Sequence, residues 1–201
     1  MTRETQVHVV DDDPAVRDSL KWLLESVGMA VGTYDSAQAF LAVSDHATGC
    51  LLLDVRLRDQ SGLELHRRLN EQGFRLPIIF ITGHGDIAMA VEAMKAGAMD
   101  FVTKPFDDQR LLETVQRALT AAREGAHKDG QRNEVRLRVA ALSPRERQVL
   151  EGVVAGKLNK TIADELKIST KTVEAHRAHL MDKMQARNVA ELLRQVALLE
   201  Q

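Results

Sequence analysis

The run Cys50-Leu51-Leu52-Leu53-Asp54 restricts the fold more than any other stretch of the chain. An apolar run with no polar alternation describes a strand covered on both faces, as in a parallel sheet flanked by helices. A carboxylate at the carboxyl end of such a strand stands where open α/β sheets receive their ligands.

Other segments repeat the arrangement. Gln6-Val7-His8-Val9-Val10 runs into Asp11-Asp12-Asp13-Pro14, the run from Leu76 through Ile81 ends on Thr82, and Asp100-Phe101-Val102-Thr103 is closed by Lys104-Pro105. Pro77 belongs at a strand start, where a missing donor is tolerated. Residues 30–34 read as a weaker strand. Helix signals lie between the strands. Asp13 caps a helix with Pro14 at its first position and Val16, Leu20, Leu23, Leu24 and Val27 on its inner face, ending at Gly28. Ser36 caps a short helix through Phe40 and Leu41, and Ser61-Gly62-Leu63-Glu64 reads as a capping box opening a helix that ends near Gly73. Asp86 caps a helix over 87–96, and Asp107 opens one carrying Leu111, Leu112, Val115 and Leu119. Strands alternating with helices in this way predict a doubly wound α/β domain with a five-stranded parallel sheet.

The pattern then changes. Between Ala121 and about Asn133 the hydrophobic period fails and Gly125 and Gly130 appear amid charge, so 123–138 reads as a linker, with 135–139 as a helical or extended lead-in. The remainder is all helical. Ser143-Pro144-Arg145-Glu146 combines cap, first-position proline and capping-box glutamate, Asn159 caps a short helix, and Lys167-Ile168-Ser169 is a tight turn. Thr170 opens a helix with Val173, His176, Leu180 and Met184 inward, and a fourth helix starts at Asn188. Two short helices about a tight turn are the sequence form of a helix-turn-helix.

Charge follows the same division. The net −2 of the chain is the sum of −6 over residues 1–134 (15 Lys and Arg, 21 Asp and Glu) and +4 over 135–201 (12 and 8), so the rear half suits a polyanionic partner. A lone cysteine, Cys50, excludes an internal disulfide and a Cys-based zinc cluster, and in a buried strand it reads as a structural thiol. The absence of a long apolar run or a signal-peptide pattern predicts a cytoplasmic protein without a membrane segment.

The strand ends of the front half carry chemistry. Asp11, Asp12, Asp54, Thr82 and Lys104 all project from the carboxyl edge of a parallel sheet. Clustered carboxylates repel unless a hard cation joins them, and few all-oxygen protein ligands suit Mg²⁺. A carboxylate beside such a metal is a nucleophile toward phosphorus, and Lys104 and the Thr82 hydroxyl are placed to neutralise phosphoryl oxygens. Asp13 is mainly a cap.

With these residues in place, the front half resembles a response-regulator receiver domain over residues 1–122, carried by Asp11-Asp12, Asp54, Thr82-Gly83 and Lys104-Pro105. The resemblance implies a flavodoxin-like (βα)5 fold, Asp54 as phosphoacceptor, and Mg²⁺ held by Asp11, Asp12, Asp54 and the backbone carbonyl of Arg56. It also implies a Thr82–Phe101 switch and a cis Lys104–Pro105 bond. One loop departs from the family, reading Leu57-Arg58-Asp59-Gln60-Ser61-Gly62 where Met-Pro is usual. Losing that proline frees the loop and adds a cation near the site.

Residues 139–201 resemble a four-helix LuxR/FixJ-type DNA-binding domain, on Leu142-Ser143-Pro144-Arg145-Glu146, Gly156, the Asn159–Ala163 stretch, Ile168 through Val173 and Glu174-Ala175-His176. Thr82-Gly83-His84-Gly85-Asp86 supports the FixJ branch. By family position Glu174, Ala175 and Ala178 face bases, Lys171, Thr172 and Arg177 lie on the same outer face, and Asn159, Lys160 and Thr161 contact phosphate at a helix N-terminus. His176 and His179 lie three apart without another His or Cys nearby to complete a metal site, and His176 reads as a core residue.

The whole resembles a two-component response regulator. A sensor histidine kinase, double-stranded promoter DNA and a second copy of the chain are the implied partners, with RNA polymerase a further one. The receiver is expected to mask the DNA-binding half until phosphorylated. Two rivals stay open. An aspartyl-phosphate phosphatase needs an acid two residues beyond its nucleophile, where this chain has Arg56. The other is an interaction module whose helix-turn-helix no longer binds DNA.

Overall fold

The computed structural model describes residues 6–83 and 87–199. The expected cap Asp86, with His84 and Gly85 of the branch motif, lies outside the described residues. Residues 1–126 and 127–201 form two separate compact units.

The first unit is built on strands β1 (Gln6–Val10), β2 (Ala30–Tyr34), β3 (Gly49–Asp54), β4 (Ile78–Thr82) and β5 (Asp100–Thr103). They form one sheet in the order β2-β1-β3-β4-β5, and every pairing is parallel. The order reverses beside β1 and β3, so the gap above their carboxyl ends is a natural ligand site. Register brings Val10 opposite Leu53 and Asp54 opposite Ile81, so β3 ends one residue beyond β1 and β4 one residue beyond β3. The fully buried β3 and β4 match their unbroken apolar runs.

Helices α1 (Pro14–Ser26), α2 (Ala37–Leu41), α3 (Gly62–Glu71), α4 (Ile87–Lys95) and α5 (Asp108–Ala140) connect and follow the strands. One core cluster joins Leu20 and Leu24 to Val9, Leu52, Ile81, Leu111 and Val115; the other joins Leu51, Leu53 and Phe80 to Phe40, Leu65 and Leu69. Successive β3 residues therefore feed opposite layers, as the two-residue strand period requires. Each such leucine contributes about 1.5–3 kcal/mol by leaving water. Cys50 is buried, and burial pushes its thiol up to about 12, as a structural thiol requires. Val27, expected on the inner face of α1, is exposed because the helix ends at Ser26 and the chain turns out at Gly28, whose φ is +82°. Ser61 caps α3 by accepting the Leu63 N–H, while the Glu64 carboxylate stands 3.8 Å from Arg67.

The stretch expected as a linker is helical. α5 runs unbroken through 123–138. Its middle lost the hydrophobic period because nearly every residue there faces water, and a helix polar on all sides carries no amphipathic signature. Gly125 and Gly130 each cost about 1 kcal/mol in such a helix. The far end is held by Val135, buried in the second core, and by Arg132 Nε donating to the Leu198 carbonyl at 2.8 Å.

The second unit continues with α6 (Pro144–Val154), α7 (Asn159–Leu166), α8 (Thr170–Lys183) and α9 (Val189–Ala197). Val149, Leu150, Ile162, Val173, Leu180, Met184 and Leu192 make its core. The tight turn between α7 and α8 is made by Lys167 in the left-handed region (φ 55°), followed by Ser169 capping α8 through the Thr172 N–H.

Candidate functional site

Three strand ends meet as expected. Asp11 (2% exposed), Asp54 (7%) and Thr82 (1%) line the carboxyl edge. Lys104 reaches in after β5, and its Nζ donates to Asp11 Oδ2 at 2.6 Å and to Asp54 Oδ1 at 3.1 Å. The second oxygen of Asp54 accepts the Arg56 N–H at 2.9 Å, and Asp11 Oδ1 accepts the Asp13 N–H at 2.9 Å. Arg17, one turn into α1, donates to the Asp11 carbonyl at 2.7 Å. That contact escaped sequence reasoning, although Arg17 follows the Asp13 cap by one helical turn. The Lys104 N–H donates to the Thr82 carbonyl at 2.6 Å, which fixes the lysine's root beside the threonine. The Lys104–Pro105 bond is cis.

Gly62 is required by close approach. A Cβ there would overlap the backbone carbonyl oxygen of Asp54, so the start of α3 packs directly on the backbone of Asp54. The Gly62 N–H donates to the Val55 carbonyl at 2.8 Å, locking the same contact.

Burial pushes the Asp54 carboxyl above its ordinary range, and the nearby Asp11 charge adds to this while Lys104 and the Arg56 N–H pull the other way. Burial alone would lower Lys104, but hydrogen bonds and charge from two carboxylates outweigh it and hold the ammonium above its usual value.

Asp12 behaves differently from its neighbour. Its carboxylate pairs with Arg58, Nε to Oδ2 at 3.0 Å. Among the described residues no three His, Cys, Asp or Glu side chains stand together closely enough to hold a metal ion. The donor set is nevertheless that of a hard cation, all oxygen, with the Arg56 carbonyl on the same loop as Asp54, so the residues fit Mg²⁺. The loop itself is tied down where a freed one was expected, since the Asp59 carboxylate accepts the Gln38 N–H of α2 at 3.1 Å.

Phe101 lies opposite Phe80 on β5 and packs, half-buried, against the cluster holding Leu53, Leu65 and Ala93. The ring lies two residues before the end of β5, while Thr82 pairs with Thr103 at that end.

In the second unit Lys160, Thr161, Lys171, Thr172, Glu174, Ala175 and Ala178 are exposed on α7 and α8, while Val173 and Leu180 turn inward and His176 is half-buried. Asn159 is not the cap of α7. Leu158 takes that position without a side-chain bond, leaving the first N–H groups of the helix for another partner, and the Asn159 Oδ1 accepts Arg177 Nη1 at 2.8 Å. Two expected DNA-facing residues therefore hold one another across the turn. Glu146 was expected only as a capping-box residue. It completes that box with Ser143 and also accepts Lys183 Nζ at 2.7 Å, joining the start of α6 to the end of α8.

Two family models match the chain. "Response regulator receiver domain" covers residues 7–116, and "Bacterial regulatory proteins, luxR family" covers 140–196. The transcriptional regulatory protein FixJ of Bradyrhizobium diazoefficiens is 48% identical over 195 residues, spanning 96% of this chain and 95% of that protein. FixJ of Rhizobium meliloti is 50% identical over 192 residues (94% and 93%), and response regulator protein TodT of Pseudomonas putida is 45% identical over 193 (96% and 85%). Among solved structures, response regulator StyR superposes with a TM-score of 0.86 at 41% identity, covering 96% of this chain and 98% of that one. Full-length FixJ from B. japonicum gives 0.60 at 46% identity, covering 99% and 98%.

Proposed function

The chain belongs to the FixJ/LuxR-family response regulators, transcription regulators activated by phosphorylation, and on that premise we propose that Asp54 is its phosphoacceptor. The observation that carries the assignment is the Lys104 ammonium bonded to both Asp11 and Asp54 at the carboxyl edge of the sheet. An Asp54 carboxylate oxygen attacks the phosphorus of a phosphohistidine on a sensor kinase; the new O–P bond forms as the P–N bond breaks, and the imidazole departs neutral, keeping the proton already on its other ring nitrogen. Mg²⁺ held by Asp11, Asp12, Asp54 and the Arg56 carbonyl would supply positive charge for the phosphoryl oxygens. Lys104 orients the acceptor beforehand and afterwards follows the phosphoryl group, as does the Thr82 hydroxyl.

The division of labour falls between residues 1–122 and 139–201. Phosphorylation draws Thr82 inward, Phe101 turns into the space it leaves, and the face of α4 and β5 becomes a contact between two copies, having shed whatever masking the receiver imposed on the DNA-binding half. The exposure of Val91 and Met94 on α4 supports that face. A two-fold dimer reads paired half-sites, with α8 in the major groove. Glu174, Ala175 and Ala178 face bases, and Lys171, Thr172 and Arg177 flank them. Lys160, Thr161 and the open N–H groups of α7 meet phosphate, with Asn159 aiming Arg177. RNA polymerase is a further partner of the bound dimer. Binding to chromosomal DNA places the protein in the cytoplasm; no helix among the described residues is long and apolar enough to cross a membrane.

Incubation with acetyl phosphate and Mg²⁺, read by intact mass, gel filtration and promoter binding, tests this reading. Wild type gains one phosphoryl group, dimerises and binds DNA more tightly, and Asp54→Ala does none of these. A monomer after full phosphorylation removes the dimer step, and equal phosphoryl incorporation by Asp54→Ala removes the acceptor assignment.

A further inference from the structure

The loop that departs from the family pattern places a cation on one of the proposed metal ligands. Asp59 anchors it to the start of α2, accepting the N–H groups of Ala37 at 3.4 Å and Gln38 at 3.1 Å. Its own neighbour Gln60 donates to it at 3.1 Å. The residue just before this anchor, Arg58, reaches Asp12, with Nε on Oδ2 at 3.0 Å and Nη2 near the Asp12 carbonyl oxygen at 3.5 Å. Lys104 occupies Asp11 and Asp54 at the same time, so each of the three carboxylates is paired with a cation of the chain itself, two cations serving three acids.

A divalent cation approaching Asp12 meets that guanidinium first. The two compete for the same carboxylate lone pairs and repel one another, so the metal binds only as Arg58 leaves. We propose that Arg58 is a positioning residue that competes with the divalent cation for Asp12 and so sets the metal concentration at which phosphotransfer begins. The inference rests on the reading of Asp11, Asp12 and Asp54 as metal ligands. The Arg58 side chain is 78% exposed and that of Asp12 27%, so the pair sits at the wet rim of the site. Exposed pairs of this kind shift an equilibrium by about two- to fivefold and weaken as salt is added.

Calorimetric titration of the full chain with MgCl₂ tests this on wild type, Arg58→Ala, Arg67→Ala and Asp12→Asn. Arg67 lies on α3 beside Glu64, and removing it subtracts the same charge away from Asp12. Arg58→Ala is expected to bind Mg²⁺ about two- to fivefold more tightly than wild type, the gain shrinking with added KCl, while Arg67→Ala matches wild type and Asp12→Asn binds more weakly. An Arg58→Ala affinity no higher than wild type, or an equal gain in Arg67→Ala, overturns the competition. Asp12→Asn binding as wild type overturns the metal-ligand reading itself, which is a separate failure.

Discussion

Glu146 offers a sharp test of how the DNA-binding half is held together. Its carboxylate, 4% exposed, accepts the Ser143 N–H at 2.8 Å and Lys183 Nζ at 2.7 Å. Glu146→Gln keeps an acceptor for the Ser143 N–H but gives up the ion pair; Glu146→Ala gives up both. The capping arm is worth about 1 kcal/mol. The pair with Lys183 adds about 1 kcal/mol and no more, because the lysine side chain is 41% exposed and water screens it. Expected losses are therefore about 1 kcal/mol for Glu146→Gln and about 2 kcal/mol for Glu146→Ala. Amide hydrogen exchange at Val149, Leu150 and Leu180, read in the full chain, reports the stability of this unit directly.

The hydrogen bonds from Lys183 and the Ser143 N–H hold the Glu146 carboxyl down at about 2, from an ordinary 4.5. A carboxyl depressed in the folded state stabilises it above the unfolded pKa, and that contribution is lost as pH falls. The advantage of wild type over Glu146→Gln is thus full above about pH 5, shrinks below 4.5 and vanishes near 2. An advantage that stays constant from pH 6.5 to 3.5, or grows on acidification, refutes the ion-pair account.

Gly62→Ala forces a methyl group onto the Asp54 carbonyl oxygen. It is expected to destabilise the first unit by about 1–3 kcal/mol, as overpacking does, and to slow phosphoryl incorporation; urea denaturation followed through Trp22 measures the first and intact mass the second. Lys160→Ala removes a proposed phosphate contact and is expected to weaken binding to all DNA sequences alike, lowering the salt slope by about 1, whereas Arg177→Ala also relaxes base preference at one position. Fluorescence anisotropy on matched and mismatched duplexes distinguishes the two, and promoter affinity that survives the double change supports the rival in which the helix-turn-helix no longer reads DNA.

Asp11, Asp54, Thr82 and Lys104 are legible in the sequence as neighbours along one sheet edge, because carboxyl ends of parallel strands share an edge and the apolar runs of β3 and β4 mark the central strands. The same local logic located the caps Asp13, Ser36 and Ser143, each of which accepts a backbone N–H from the turn it opens, whereas Ser169, read as part of the turn, proves to be the cap of α8. Pairings between distant side chains were not legible. Lys104 meets Asp11 across 93 residues and Asp54 across 50, and Arg58 meets Asp12 across 46. Which cation takes which acid depends on how loops close over the edge, and a sequence lists candidate charges without ranking their distances. Asn159 reads as a cap from its type and place, yet Arg177, one helix away, claims its side chain. The stretch 123–138 reads as a linker because a helix bathed in water shows no periodicity, and it is long-range packing of Val135 that holds its far end. Periodicity and capping are written in neighbouring residues and so survive in the sequence, whereas the partnering of charges is a property of the closed chain.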